Sequence, residues 1–94
     1  MSAHEARIEV APDVELRLLC SNLQGDAVPF LLVHGLASNA RMWDGVAEVL
    51  AAAGHPVVAV DQRGHGRSSK PDQGYDFTTI VSDLVALIAA LGWE

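Results

Sequence analysis

The chain contains 94 residues, half of them hydrophobic, and its twelve acidic and six basic side chains give a net charge of −6. Its length and hydropathy predict one small folded domain or part of one, and they exclude an intrinsically disordered chain. The excess of negative charge repels phosphate backbones, so we expect no nucleic-acid partner.

The composition also limits the other kinds of site. Cys20 is the only cysteine, so no disulfide forms within the chain and a reducing, cytoplasmic location is expected. The histidines are scattered without ligand spacing, so we expect no metal site, and no motif requires a cofactor. The longest apolar run, residues 84–91, is far shorter than the ~20 residues that span a bilayer, so no membrane partner is expected.

Two short strands are predicted at residues 7–10 and 14–20. In the second strand, apolar positions alternate with Glu15 and Arg17, which is typical of a strand with one buried face. A Pro-Asp pair separates the two segments and is a turn signal. The sequence therefore predicts an antiparallel hairpin.

A β-α-β unit is predicted next. Residues 30–33 and 57–60 are apolar at every position, as expected for parallel strands that are covered on both faces. Between them, residues 41–53 form a predicted helix with Ser38 or Asn39 as its N-cap. Its predicted apolar face contains Met42, Val46, Val49, Leu50 and Ala53.

A polar loop, residues 61–75, leads to the last predicted element. Asp76 is the expected N-cap of a helix over residues 77–91, and Gly92 is its expected C-cap. The predicted apolar stripe of this helix contains Phe77, Ile80, Val81, Leu84, Leu87, Ile88 and Leu91. This order of elements predicts an α/β fold with helices on both faces of the sheet.

The turn after the third strand begins with His34 and Gly35, and it allows several interpretations. A strand, a glycine turn, a helix and a strand ending at Asp61 outline a dinucleotide-binding half-domain. No second glycine follows before Gly45, and the phosphate-loop pattern is absent, which disfavours nucleotide binding. Taken alone, His-Gly indicates only a place where a strand ends.

Three segments in order, HGLASNARMWDGVAEVL, VVAVDQRGHGRSSKP and DLVALIAALG, resemble the amino-terminal part of an α/β-hydrolase of the AB hydrolase-1 type. The similarity extends from about residue 9 to the end of the chain, and it is greatest to enol-lactone hydrolases and arylesterases. It implies an incomplete α/β sheet, an antiparallel hairpin followed by β-α-β-α. Residues 1–94 would be the amino-terminal segment of one domain, truncated before the nucleophile elbow.

The resemblance also implies roles for individual residues. The backbone N–H of Leu36 would lie in the oxyanion hole, and Gly35 would let the loop turn so that this N–H faces the pocket. The implied substrate-pocket residues are His34, which helps to hold the loop, Ser38, Asn39 and Trp43. For Trp43, a place in the core is an equal alternative.

The loop after the fourth strand would be a structural turn beside the active site. Its implied residues are Asp61, Arg63, Gly64 and Gly66, with Asp61 and Arg63 as an internal hydrogen-bonded or ionic pair. His65, which lies between the two glycines, receives no catalytic role.

No G-x-S-x-G elbow occurs in these residues, so the nucleophile, acid and base would lie beyond Glu94. The resemblance implies a serine-type hydrolase of small carboxylic esters or lactones, and the chain by itself is expected to be inactive. The residue after His-Gly is Asn in dehalogenases, and an aromatic residue and proline follow His-Gly in epoxide hydrolases, whereas Leu36-Ala37 stand here. The sequence therefore disfavours both of these activities, while a perhydrolase remains an alternative. The alternative is a non-catalytic remnant that binds a partner, or a second copy, through the exposed third strand.

Overall fold

The computed structural model describes residues 3–93. Its elements are β1 (His4–Ala11), β2 (Val14–Ser21), β3 (Phe30–Val33), a 3-10 helix (Ala40–Trp43), α1 (Asp44–Ala52), β4 (Val57–Val60) and α2 (Phe77–Leu91). This order confirms the predicted fold class. No helix within residues 3–93 is both long enough and apolar enough to cross a membrane.

The four strands form one mixed sheet in the order β1-β2-β4-β3. β1 and β2 form the predicted antiparallel hairpin, although β1 begins at His4, earlier than the predicted residue 7. β2 pairs antiparallel with β4, and β4 pairs parallel with β3. Because β3 and β4 run in parallel, the loops that follow them leave the same edge of the sheet.

The two helices pack on opposite faces of this sheet, as the sequence predicts. Alternate residues of β2 and β4 point to opposite faces, so each face acquires its own cluster of apolar side chains. The cluster under α2 contains Val14, Leu16, Leu18, Cys20, Val58, Val60 and Leu87. The cluster under α1 contains Leu19, Leu32, Ala40, Ala47, Ala51, Val57 and Ala59.

The predicted apolar face of the first helix is wrong except at Leu50, which packs partly buried against the cluster under α1. Met42, Val46 and Val49 are exposed, and the helix buries Ala47 and Ala51 instead. Within α1 the side that faces the sheet is therefore rotated by one position from the predicted one, to Ala47, Leu50 and Ala51. Small alanines also let the helix axis approach the sheet closely, so side-chain size is a poor guide to this face.

The ends of both helices follow the sequence signals. Asn39 is the N-cap of the 3-10 helix, where its side-chain oxygen accepts a hydrogen bond from the Arg41 N–H at 2.9 Å. The Asp76 carboxylate accepts from the Thr79 N–H at 3.1 Å, and Gly92 ends α2 with a φ of 74°. These caps confirm the predicted boundaries because each satisfies backbone groups that the helix itself leaves unpaired.

The stripe predicted for α2 is correct only in its second half. Leu87 is fully buried, but Phe77 and Val81 are exposed. Between them Asp83 is buried, a position at which an apolar stripe does not predict an acid. β3 lies at an edge of the described sheet, as the expected exposure of the third strand implies, but Phe30 is exposed rather than covered on both faces.

Candidate active site

The candidate site lies where the loops after β3 and β4 meet. The first loop contains a tight turn in which the Ser38 N–H donates to the Gly35 carbonyl at 3.2 Å. Ala37, the third residue of this turn, has a φ of 63°. A positive φ at this position is the mark of a type II turn. Leu36 occupies the second position, the residue is 92% exposed, and its φ is not positive.

The backbone N–H of Leu36 donates no hydrogen bond to any group within residues 3–93. Leu36 lines a cavity of about 350 Å³ together with Gln62, His65, Tyr75, Phe77 and Ile80. An unpaired amide of a residue that lines a partly apolar cavity is free to donate to an oxygen atom of a bound ligand.

Two histidines connect the two loops. His34 Nε2 lies 3.0 Å from the Gln62 N–H and His34 Nδ1 lies 2.6 Å from the Gly35 carbonyl oxygen. His65 Nε2 lies 3.1 Å from the Ala37 N–H and His65 Nδ1 lies 3.0 Å from the Arg63 carbonyl oxygen. The two rings also contact each other, with centroids 4.8 Å apart.

Asp61 follows β4 directly and is fully buried. Its carboxylate accepts hydrogen bonds from the Ala40 N–H at 2.7 Å, the Arg67 N–H at 2.9 Å and the Arg17 guanidinium at 2.8 Å. Burial by itself would raise the pKa of this carboxyl group, but the two backbone donors and Arg17 together lower it below its ordinary value. Asp61 therefore links the first helix, β2 and its own loop as a charged group.

Arg63, two residues later, is also buried, and it binds Asp83 of α2. Its Nε and one terminal nitrogen contact the two carboxylate oxygens at 2.6 and 2.8 Å, a bidentate pair. A third donor of the guanidinium reaches the Gln73 carbonyl at 3.2 Å. Hydrogen bonding to Asp83 raises the pKa of Arg63 despite its burial, so this side chain stays charged.

This arrangement contradicts the predicted pair between Asp61 and Arg63. Each of the two binds an opposite charge from another element, Asp61 from β2 and Arg63 from α2. The physical reason is that both side chains leave one short loop in different directions, toward opposite sides of the sheet. A residue on a distant element is the better-placed partner for each of them.

The two glycines that follow Arg63 in this loop meet steric demands. Gly66 has a φ of 52°, and a Cβ there would overlap the Asp61 carboxylate. Gly64 also has a positive φ, and a Cβ there would overlap the ring of Tyr75. Ser68 closes the turn, since its hydroxyl accepts from the Arg17 N–H at 2.7 Å and donates to the Asp61 carbonyl oxygen.

The sequence model of the alpha/beta hydrolase fold family matches residues 28–94, a segment that includes both loops and α2. The chain belongs to the α/β-hydrolase family.

Relatives with several activities share this segment. A non-heme chloroperoxidase from Streptomyces lividans is 39% identical over 66 residues, which are 70% of this chain and 24% of that protein. Epoxide hydrolase A from Mycobacterium tuberculosis is 36% identical over 96 residues, covering 100% of this chain and 30% of that protein. The structure of an esterase from Exiguobacterium antarcticum superposes with a TM-score of 0.85 and 28% identity over 95% of this chain and 32% of that one.

The chain thus spans about a quarter to a third of the length of these α/β-hydrolase relatives. Within its described part, no serine lines the cavity beside Leu36, and no three His, Cys, Asp or Glu side chains are grouped to hold a metal ion. Residues 3–93 therefore provide the Leu36 N–H as a backbone donor and one wall of a cavity, but no serine nucleophile next to that cavity.

The other predicted pocket residues of this α/β-hydrolase do not line that cavity. Ser38 lies in the turn with its hydroxyl 3.3 Å from the Met42 sulfur, and Asn39 serves as a helix cap. Trp43 packs half-buried against the cluster under α1, and its indole nitrogen has no partner among the described residues. His34 is buried beneath the turn.

The role predicted for Gly35 needs correction. Gly35 was expected to provide the conformational freedom that lets the loop turn, but the positive φ belongs to Ala37 and not to Gly35. A Cβ at Gly35 would meet nothing within 4 Å in the described structure. The conformational demand of this α/β-hydrolase turn therefore falls on an alanine, which tolerates it less well than glycine does.

Several residues that build the site escape sequence reasoning. Arg17 was expected on the exposed face of β2, but it is buried. Asp83 lies among the apolar residues of the predicted stripe, and this isolated charge was the one signal in the sequence for its role. His65 and Gln62 carry no such signal. Their partners are 28 positions away along the chain, and only the fold brings them together.

Proposed function

We propose that these residues form the oxyanion-hole side of an α/β-hydrolase that acts on small carboxylic esters or lactones. The nucleophile, acid and base of that enzyme would lie outside the 94 residues. The observation that carries the proposal is the Leu36 N–H, which has no partner in the described part of the chain and belongs to a residue that lines a cavity of about 350 Å³.

The chemistry of ester hydrolysis requires such a donor. When a serine hydroxyl attacks the ester carbonyl, the carbonyl oxygen becomes an anion in the tetrahedral intermediate. In this fold two backbone N–H groups bind that anion, one from the loop after the third strand and one from the residue that follows the nucleophile. The Leu36 N–H would supply the first of the two.

A backbone donor also accounts for the type of residue at this position. The side chain of Leu36 takes no part in binding the oxyanion, so an apolar residue is compatible with the role. With Phe77 and Ile80, it would form an apolar wall suited to a small acyl or alkyl group.

The test is the variant Leu36→Pro in the full-length protein, assayed with a chromogenic aryl ester. Proline removes the N–H, and the second position of a type II turn accepts proline well, so the turn itself should persist. Loss of one oxyanion donor should lower kcat by about 10²–10³-fold, with a much smaller change in KM.

Leu36→Ala is the matched control because it shortens the side chain and keeps the N–H. It should lose far less of kcat than Leu36→Pro does. Equal losses in the two variants would mean that the side chain matters and the amide does not, and the oxyanion role would then be rejected.

A second candidate activity is epoxide hydrolysis. It is supported by the 36% identity with epoxide hydrolase A of Mycobacterium tuberculosis over the whole of this chain. It is weakened by Leu36-Ala37, which stand where the epoxide hydrolase pattern has an aromatic residue and proline. Comparing kcat/KM for an aryl ester and a styrene-type epoxide in one preparation separates the two activities.

A further inference from the structure

His65 is the residue of the candidate site whose contacts the proposed function does not use. It lies between two glycines in the loop after β4, yet its ring is half-buried and reaches across to the loop after β3. There its Nε2 meets the N–H of Ala37, the residue immediately after Leu36.

The hydrogen-bond partners determine the form of the ring. Nε2 faces a backbone donor, so it must carry a lone pair, and Nδ1 faces the Arg63 carbonyl, so it must carry the proton. Only the neutral Nδ1–H tautomer satisfies both contacts, because a proton on Nε2 would point at the Ala37 proton. His34 has the same pattern, with Nε2 toward the Gln62 N–H and Nδ1 toward the Gly35 carbonyl.

Ala37 needs such a partner. Its φ of 63° is a left-handed conformation, which is unfavourable for a residue other than glycine. A turn of the same four residues without this strain would rotate the Leu36–Ala37 peptide and take the Ala37 N–H away from His65. The hydrogen bond to His65 therefore favours the observed turn over its unstrained alternative.

We propose that His65, as the neutral Nδ1–H tautomer, is a positioning residue that holds the Leu36–Ala37 peptide against rotation and thereby preserves the turn in which Leu36 lines the cavity. The part of this proposal that concerns catalysis rests on the oxyanion role of Leu36 proposed above. The part that concerns the turn stands on the contacts of His65 alone.

The first experiment uses NMR on the ¹⁵N-labelled 94-residue chain. A long-range ¹H–¹⁵N spectrum reports which ring nitrogen of His65 carries the proton, and Nδ1 is the expected one. A scalar coupling across the hydrogen bond should also join the Ala37 amide nitrogen to His65 Nε2. An Nε2–H tautomer, or no coupling in a spectrum that shows the ring bonded elsewhere, overturns the proposal.

Amide exchange in variants is the second measurement. His65→Ala should raise the exchange rate of the Ala37 amide about tenfold, since it removes one hydrogen bond. His65→Gln, whose side-chain oxygen can accept the same N–H, should recover most of that protection. Slow exchange of the Val58 and Val60 amides shows that each variant is folded. If a variant loses this protection, the tautomer and the scalar coupling measured on the wild-type chain decide whether the proposal holds.

His55→Ala is the matched control, because His55 contacts the Val28 carbonyl and does not touch the turn. It should leave Ala37 exchange unchanged. If His65→Ala and His55→Ala have the same effect on Ala37, His65 does not hold the turn.

Kinetics of the full-length protein separate this proposal from the proposed function. His65→Ala should lower kcat with little change in KM, and His65→Gln should restore part of it. If Leu36→Pro leaves kcat intact while the NMR contacts are present, the oxyanion role fails and the positioning of the turn stands. If Leu36→Pro lowers kcat but His65→Ala leaves the exchange rate of the Ala37 amide unchanged, the oxyanion role stands and the positioning role of His65 fails.

Discussion

At the scale of single residues, Asp61 connects more of the structure than any motif position suggests. Its buried carboxylate accepts from the first helix, from its own loop and from Arg17 of β2. Burial favours the neutral carboxylic acid, yet these donors lower its pKa below the ordinary value. The charged form is therefore the one that the folded chain stabilises.

This lowered pKa predicts a particular loss of stability in acid. In the unfolded chain the pKa of this carboxyl group is about 3.9, so the stabilisation is complete above that pH and is lost as the pH falls through the lower pKa of the folded state. Asp61→Asn should cost on the order of 3–5 kcal/mol near neutral pH, because it leaves Arg17 buried without its charge partner. Its melting temperature should also depend less on pH below about 5 than that of the wild type.

The measurement is the melting temperature by circular dichroism from neutral to acidic pH. Asp26→Asn is the control, since Asp26 is an exposed turn residue, and it should reproduce the wild-type curve. A parallel pH dependence in Asp61→Asn and the wild type would show that Asp61 contributes nothing to acid unfolding.

At the scale of elements, α2 is held to the rest of the chain in two different ways. Its second half packs Leu87 into the cluster under the sheet, as an amphipathic helix is expected to do. Its first half is held by Asp83, which forms the bidentate buried pair with Arg63. The stripe prediction fails in that first half because an ion pair replaces apolar packing there.

We predict that the two partners are strongly coupled. Asp83→Asn should lower the free energy of unfolding by about 3–5 kcal/mol, because Arg63 is left as an uncompensated buried charge. The double variant R63M/D83L should be more stable than Asp83→Asn, since an apolar pair of similar volume removes both charges together. Urea titration followed by circular dichroism measures both differences. A double variant less stable than the single one would contradict this account.

At the scale of the whole molecule, the sheet ends in an edge that is apolar and short. β3 pairs with β4 on one side only in the described structure, and Phe30 at its start is exposed. The Phe30 N–H donates inward to Pro56, so the alternate backbone groups of β3 point outward. An uncovered strand with outward backbone groups favours pairing with another chain.

We therefore propose that the isolated 94-residue chain self-associates through β3. Phe30→Lys, which places a charge on that edge, should give a sedimentation coefficient that no longer rises with protein concentration. Val85→Lys is the matched control, because it places the same charge on an exposed apolar position of α2. Dissociation by Val85→Lys but not by Phe30→Lys would locate the contact on α2 and reject the edge.

Much of the architecture could be predicted from local signals. The hairpin, the two apolar strands and the caps at Asn39 and Asp76 all follow from alternation, hydropathy and side-chain chemistry over a few residues. The candidate turn could be located, because the segments before and after Gly35 are typical of one family. Its conformation could not, because the strained residue is Ala37, and nothing in its neighbours requires a positive φ there.

By itself, the sequence determined the α/β fold class, the order of the elements and the position of the candidate turn at residues 34–39, since these depend on periods and caps of short range. Only the tertiary structure decided which groups meet: Asp61 with Arg17, Arg63 with Asp83, and His65 with Ala37. These pairs are separated by 20 to 44 positions, and their partners are chosen by the direction in which packed elements place buried polar groups. That direction is a property of the assembled sheet and helices, because a buried charge or amide bonds whichever partner the fold brings within reach.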